Sequence, residues 1–360
     1  MRNTKIALAV LALVASTAAM ADGATVYGTL DVSAGKATND VMHFDGSGNW
    51  AGSIFGFTGS EDIEGGLKAT YTLELGLNAG TGRRANGGTV IGDSLTSSFA
   101  NRQANVGLSG EFGSVKAGLQ LSPYIAAVVG NGVTTNNESF YVPLLAMSGS
   151  VAATFDPSSV LATTTGGFFI PNAVSYSTPS IGGFSASALK QFNGAGVAST
   201  TAAATKDRAD YSAYSAGFAA GDVRVAVAYE DANRNLISET PLGQSKNTAV
   251  AAGYTMGAIN LAAAYIDHKD VTTNTSTHTY SLSGATDVTE KVQLSLNYAK
   301  NNKTLAQSLT VAGAQYRLSK TTALYLTAGR GTNGLTPLYS GSSNTTGDVT
   351  AYAVGMYKSF

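Results

Sequence analysis

The side chains best suited to chemistry are few in this sequence, and their spacing matches no common catalytic motif. The chain has three histidines, His43, His268 and His278, and no cysteine. None of the histidines stands in a metal-binding spacing such as HExxH, and a thiol nucleophile or thiolate ligand is not available. No GxSxG, P-loop or dinucleotide-binding motif occurs. The sequence therefore predicts no enzyme and no site for a metal or cofactor.

The composition is unusual for a soluble protein of 360 residues. Charged side chains make up only 12% of the sequence, which contains 42 Gly, 17 Tyr and 13 Phe; soluble proteins typically carry about twice that charged fraction. The formal net charge is −1 and there is no basic cluster, which argues against nucleic acid as a partner. A soluble β-rich protein and a barrel with a lipid-facing wall both fit this composition.

The amino terminus has the pattern of an export signal. Arg2 and Lys5 precede a short apolar run, and Ala19-Met20-Ala21 matches a small-x-small cleavage site. The apolar run is shorter than the roughly 20 residues that a membrane-spanning helix needs. We predict a signal peptide over residues 1–21 and one mature domain over residues 22–360.

Apolar and polar residues alternate in many segments of about ten residues. In KVQLSLNYAK, the apolar Val292, Leu294, Leu296 and Tyr298 share one face and polar residues occupy the other. Such alternation is typical of transmembrane β-barrel strands, which face hydrocarbon on one side and water on the other. Sixteen such segments occur, near residues 25–36, 50–60, 65–78, 99–110, 112–121, 170–179, 182–193, 208–219, 222–231, 246–256, 258–268, 277–286, 289–300, 307–318, 321–330 and 348–360.

The connections between these segments are alternately short and long, as in outer-membrane barrels with short turns at one rim and long loops at the other. With an even number of strands the first can pair with the last, which removes the exposed edge. We predict an all-β fold, a 16-stranded antiparallel transmembrane barrel. The alternative, a soluble β-sandwich or secreted adhesin, would not explain the nearly uninterrupted apolar face. In the closed barrel the bulky terminal residue Phe360 can lie in the interfacial girdle of aromatic residues.

Six segments in order resemble the general diffusion porins of Gram-negative bacteria, especially those of β-proteobacteria. They are TVYGTLD (25–31), SIFGFTGSEDIEGGLKATYTLE (53–74), NRQANVGLSGEFGSVKAGLQ (101–120), NAVSYSTPSIGGF (172–184), QYRLSKTTALY (315–325) and VGMYKSF (354–360). The resemblance spans the mature chain. It implies a homotrimeric barrel in the outer membrane that forms a water-filled channel for passive diffusion of small hydrophilic solutes and ions, with an inward-folded third loop.

The resemblance also implies an assembly role for the carboxy-terminal strand. In this family the last strand, ending in Phe, is the signal for the barrel-assembly machinery, and the matching residues are Gly355, Tyr357 and Phe360. Lys358 departs from the family, in which a histidine or apolar residue is more usual.

The resemblance places a constriction where the third long loop, near residues 122–169, faces the wall. Acidic residues on that loop face arginines in the family, and the only acids here are Glu138 and Asp156. Three arginine positions of the family are apolar in this chain: Ile54, Leu119 and, within a residue or two, Phe169. Arg102 matches a family arginine and is the expected surviving wall charge. A constriction poor in positive charge would be less anion-selective than those of relatives.

The alternation places other charged residues on the water-facing side, where each is either part of the pore field or an ordinary hydrated side chain. They are Asp31, Lys68, Glu74 and Arg224. The third loop is also unusually apolar, as in FYVPLLAM (140–147), so its side chains either pack against the inner wall or line the constriction.

Two further interpretations stay open. A substrate-specific channel would bind one class of solute along its lumen and show saturable block. A structural or adhesive surface protein would use loop residues such as Arg83, Arg84 and Arg234 to contact lipopolysaccharide, and would not swell liposomes.

Overall fold

Sixteen long antiparallel strands make up most of the described chain. The computed structural model describes residues 23–84, 100, 102–132, 138–148, 168–192, 208–235, 244–303, 306–337 and 347–360. The predicted signal peptide, residues 1–21, lies outside these ranges. The strands are β1 (Thr25–Ala37), β2 (Ile54–Ile63), β3 (Leu67–Asn78), β4 (Gln103–Gly110), β5 (Gly113–Leu121), β6 (Phe169–Ser177), β7 (Phe184–Gln191), β8 (Arg208–Ala220), β9 (Val223–Asn235), β10 (Gln244–Met256), β11 (Ile259–Asp270), β12 (Thr275–Asp287), β13 (Val292–Asn301), β14 (Ser308–Arg317), β15 (Thr322–Gly331) and β16 (Val349–Ser359).

The strands close into a barrel. Each long strand pairs with its sequence neighbours, and β1 pairs with β16 from Thr29↔Ser359 to Ala37↔Ala351. Closure leaves no unpaired edge among the described long strands, which is the condition for placing a sheet in a membrane. The predicted closed, 16-stranded antiparallel barrel is therefore confirmed.

Most strand boundaries lie within a few residues of the prediction. The connection between β11 and β12 is shorter than predicted, because each strand extends two residues further into it and only residues 271–274 separate the strands. Asp270 closes this turn by accepting hydrogen bonds from the backbone N–H groups of Thr272 and Thr273. The long loop expected over residues 269–276 is thus a tight turn.

The two faces of the wall differ as the alternation predicts. On β13, Leu294 and Leu296 are exposed, whereas Ser295, Asn297 and Ala299 are buried. The exposed apolar face is the outer wall, which meets lipid, and the buried face is the inner wall.

The first long loop turns into the barrel. Its short strand His43–Asp45 pairs with β1 from Ser33↔Asp45 to Gly35↔His43. Beyond it, Asn49 and Trp50 are buried. The alternation gave no indication of this fold, because the loop has no periodic pattern.

The third long loop contains two helices, α1 (Pro123–Gly132) and α2 (Glu138–Ser148). Proline suits the first position of α1, and the Ser122 Oγ accepts the Tyr124 N–H at 3.2 Å. Tyr124, Ile125 and Val128 of α1 pack in one buried cluster with small side chains of β9 and β10. Those wall residues are Ala226, Ala228 and Ala249, whose small side chains let the helix approach the sheet closely.

The second helix packs against another part of the inner wall. Phe140, Leu144 and Met147 form a buried cluster with Leu309 and Val311 of β14. Asp156, one of the two predicted constriction acids, lies outside the described residues. Among the described residues, neither α1 nor α2 nor any other helix is long and apolar enough to cross a membrane.

Candidate functional site: the channel interior

A buried carboxylate on β3, Glu74, receives two hydrogen bonds on the inner wall. Arg102 donates from Nε to Oε1 at 2.6 Å, and the Tyr27 hydroxyl donates to Oε2 at 2.8 Å. Tyr27 reaches across β2 at Gly56, where a Cβ would lie 2.5 Å from the ring Cζ. The charge of Arg102 is therefore matched inside the wall by a short, charge-assisted hydrogen bond.

A row of aromatic rings continues from Arg102. The Arg102 guanidinium carbon lies 4.7 Å from the ring centroid of Phe169, a cation–π distance. Phe168 lies 6.3 Å from Phe169, and Tyr141 of α2 lies 6.3 Å from Phe168, both measured between ring centroids. The row connects the third loop to the ion pair on the wall.

A cavity of about 390 Å³ lies between this row and α1. Glu74 and Arg102 line one part of it, and Ile125 and Val129 of α1 and Leu121 of β5 line the rest together with the rings. The lining of the cavity is thus mostly apolar, with the Arg102–Glu74 ion pair at one side.

A second buried carboxylate, Asp31 of β1, holds the first loop against the wall. Its Oδ2 accepts the backbone N–H groups of Trp50 at 2.9 Å and Ala51 at 2.7 Å. Its Oδ1 accepts the Tyr325 hydroxyl at 2.6 Å. Tyr325 crosses β16 at Gly355, where a Cβ would overlap its ring.

The first and third loops are joined inside the barrel. The Asn49 carbonyl accepts hydrogen bonds from the Ser139 N–H at 3.1 Å and the Ser139 Oγ at 2.7 Å. The loops therefore form one connected structure within the lumen.

In the first loop, burial raises the pKa of the Asp45 carboxyl, and hydrogen bonds from Ser47 oppose the increase.

A chain of buried hydrogen bonds lies at the start of α1. The Ser122 hydroxyl lies 2.7 Å from that of Tyr211, which donates to Glu230. Asn247 donates to the other Glu230 oxygen and accepts from His268 Nδ1 at 2.6 Å. This chain links the first turn of the third loop to β8, β9, β10 and β11.

The comparisons with known proteins agree with this architecture. A family model described as Gram-negative porin matches residues 7–335. The chain belongs to the Gram-negative porin family. It therefore forms an outer-membrane channel for passive diffusion and is not an enzyme.

Individual porins resemble this one along most of its length. Outer membrane porin protein 32 of Delftia acidovorans is 29% identical over 346 residues, which cover 90% of this chain and 88% of the relative. The anion-selective porin from Comamonas acidovorans has a TM-score of 0.73 at 20% identity, covering 94% of this chain and 100% of its own. The trimer form of OmpT from Vibrio cholerae has a TM-score of 0.65 at 13% identity, covering 95% of this chain and 100% of its own. Both structures show likeness of fold.

The structure brings some of the predicted constriction residues of this porin together. Arg102 and Phe169 are in contact. Ile54 pairs with Thr29 and Gly76 and so shares their inner face. Leu119 is partly buried beside the apolar cluster of α1, whereas Leu121 lines the cavity. The register of β5 and β6 shifts between Gly118 and Gln120, which uniform alternation could not anticipate.

The remaining predicted charges lie apart from one another. Lys68 forms an exposed ion pair of 2.8 Å with Asp62, beside the short turn between β2 and β3. Arg224 lies on the inner wall beside Gly253, with its guanidinium 3.4 Å from Thr255 Oγ1. Glu138 is the first residue of α2. Among the described residues, no group of three or more histidine, aspartate or glutamate side chains could hold a metal ion.

The predicted assembly residues lie on two faces of β16. Gly355 and Tyr357 are on the inner face, where Tyr357 accepts a hydrogen bond from Gln315. Phe360 is exposed on the outer wall. Its N–H and carbonyl exchange hydrogen bonds with Gly28 at 3.0 and 3.1 Å, so the terminal residue remains part of the sheet.

Sequence reasoning missed Tyr27, Trp50, Tyr325 and Glu230 as residues of the channel interior. A recognisable pairing exists for the two tyrosines whose side chains pass over a neighbouring strand on the inner face. Each is an inward tyrosine paired in register with a glycine of the neighbouring strand, Tyr27↔Gly56 and Tyr325↔Gly355. The predicted strand over residues 50–60 includes Trp50, which is wrong, because β2 begins at Ile54 and Trp50 belongs to the first loop.

Proposed function

We propose that this porin has a constriction with little net positive charge and is therefore only weakly anion-selective. The observation that carries the proposal is the 2.6 Å contact between Arg102 and Glu74. Apolar residues, Ile54 and Phe169, stand where the family resemblance places further arginines. We also propose that the third loop narrows the channel at this level.

A permeating ion meets the electric field of the charges that line the constriction. A lone arginine in a narrow lumen attracts anions over several ångströms. An arginine in contact with a carboxylate presents a dipole, whose field decreases faster with distance. The Comamonas relative is described as anion-selective, but its 20% identity supports only a common fold, so its ion preference does not transfer to this chain.

The reversal potential across a planar bilayer in a KCl gradient tests this proposal. We expect a value close to zero for the unchanged porin. Glu74→Gln should shift it towards the chloride equilibrium potential, because the charge of Arg102 would no longer be matched. Ile54→Arg should shift it in the same direction by adding a cation to the inner wall.

Asp62→Asn is the matched control, since it removes a carboxylate from an exposed ion pair at the rim and should leave the reversal potential unchanged. Strong chloride selectivity of the unchanged porin would contradict the proposal.

We further propose that the porin is a homotrimer, as the Vibrio cholerae relative described as a trimer form suggests. Unheated protein should migrate on a denaturing gel near three times the mass of the mature monomer, which is below the 36.6 kDa of the full sequence, and boiling should convert it to monomer. Monomeric migration without heating, under conditions in which the channel conducts, would contradict this.

We also propose partners for the outer wall and the final strand. The exposed apolar side chains of the wall fit outer-membrane lipid and lipopolysaccharide. Gly355, Tyr357 and Phe360 are proposed as the residues that the barrel-assembly machinery recognises. A crosslinker placed at Phe360 during biogenesis should capture that machinery if the proposal is right.

A further inference from the structure

We propose that the cavity between α1 and the aromatic row is a binding site for small, uncharged, planar aromatic solutes that carry an amide or hydroxyl group. The inference rests on the channel function proposed above, because the solute must reach the cavity from the lumen. It adds a saturable step to passive diffusion.

The shape of the site suits a flat ring. Tyr141, Phe168 and Phe169 follow one another at 6.3 Å between centroids, within the range in which aromatic pairs attract. Ile125 and Val129 provide an apolar wall. An apolar cavity of about 150 Å³ is sufficient to bind benzene, so about 390 Å³ accommodates a substituted ring together with water.

The charges at the site select against ions. A carboxylate that approached Arg102 would meet Glu74, whose Oε1 lies 2.6 Å from the Arg102 Nε. An ammonium that approached Glu74 would meet Arg102. A neutral amide avoids both repulsions, since its oxygen accepts from a guanidinium and its N–H group donates to a carboxylate.

Partial block of single-channel current by benzamide tests the site. We expect benzamide to reduce the conductance saturably. Cyclohexanecarboxamide, which has the same amide and a similar size but no π system, should need about two- to tenfold more solute for half-block, since ring stacking contributes a factor in that range. Benzoate should block less well than benzamide because of Glu74.

Two variants assign the block to the aromatic row. Phe168→Leu keeps an apolar side chain of similar volume, and it should raise the half-blocking concentration of benzamide about two- to tenfold. Tyr141→Leu should also raise the half-blocking concentration, and it replaces Phe168→Leu in the test if the Phe168→Leu porin does not insert into the bilayer. Phe184→Leu is the control, because Phe184 is an exposed aromatic residue on the outer wall, and it should leave the block unchanged.

The open-channel conductance and reversal potential, recorded before solute is added, report the proposed channel function separately. A normal open channel with equal block by both amides would overturn the aromatic site. So would block that neither Phe168→Leu nor Tyr141→Leu weakens. Tighter block by benzoate than by benzamide would overturn the uncharged class of ligand.

Discussion

Two tyrosines of the inner wall reach a carboxylate by crossing a glycine on the strand between. Tyr27 crosses Gly56 to reach Glu74, and Tyr325 crosses Gly355 to reach Asp31. In both cases the glycine is required for the space it leaves, since a Cβ would enter the ring. Each carboxylate thereby accepts a hydrogen bond from a tyrosine hydroxyl that is two strands away in the barrel.

At the residue scale, Gly355→Ala should destabilise the barrel by about 1–3 kcal/mol, because the added methyl overlaps the Tyr325 ring and also the backbone carbonyl oxygen of Val32. The urea midpoint of the barrel folded in phospholipid vesicles measures this. Gly284→Ala is the control, since its Cβ would meet its nearest neighbour at an ordinary 3.6 Å. In a Tyr325→Leu background the cost of Gly355→Ala should fall, and an equal cost in both backgrounds would contradict the explanation.

At the scale of elements, the first and third loops occupy the lumen as one connected structure. Asp31 holds the backbone of the first loop, and the carbonyl of Asn49 holds Ser139 at the start of α2. Trp50, the single tryptophan of the sequence, is buried with its ring 5.5 Å from that of Tyr325. Its fluorescence therefore reports whether the first loop is in place.

Asp31→Ala should release the first loop, because it removes the acceptor of the Trp50 and Ala51 N–H groups and of the Tyr325 hydroxyl. We expect the Trp50 emission to move to longer wavelength as the ring meets water, while the barrel stays resistant to detergent before heating. Glu74→Gln should leave the emission unchanged. An unaltered spectrum in Asp31→Ala would show that Asp31 does not hold the loop.

At the scale of the whole molecule, the terminal residue extends the seam between β1 and β16 that closes the barrel. Phe360 exchanges two backbone hydrogen bonds with Gly28, and its ring lies over the space that a Gly28 side chain would occupy. It also lies 6.4 Å from the ring of Phe55. The end of the chain is thus joined to β1 by backbone pairing and to β2 by an aromatic contact on the lipid side.

Phe360→Ala should reduce the amount of folded porin in the outer membrane, because the proposed assembly signal and this contact are both lost. The same variant refolded in detergent should keep its single-channel conductance. Immunoblots of unheated outer-membrane fractions measure the first effect, with Phe184→Ala as the control for loss of an exposed aromatic residue. Equal amounts of folded Phe360→Ala and unchanged porin would contradict the assembly role.

The strands were predictable and the interior mostly was not. Alternation records the contact of each residue with lipid or water, so β13 could be read from Leu294, Ser295, Leu296 and Asn297 alone. The inward course of the loops depends on contacts distant in sequence, such as Asn49 with Ser139. The irregular register beside Gly118, which has φ of +124°, likewise put Leu121 rather than Leu119 on the cavity.

The inward course of the loops has a consequence for how the cell surface is recognised. Residues 45–53 and both helices lie within the barrel, so antibodies and bacteriophages that approach from outside do not meet them first. Exposed turns such as residues 271–274 are presented instead. We therefore expect sequence change in the hidden segments to affect permeation more than antigenicity, and change in the exposed turns to have the opposite effect.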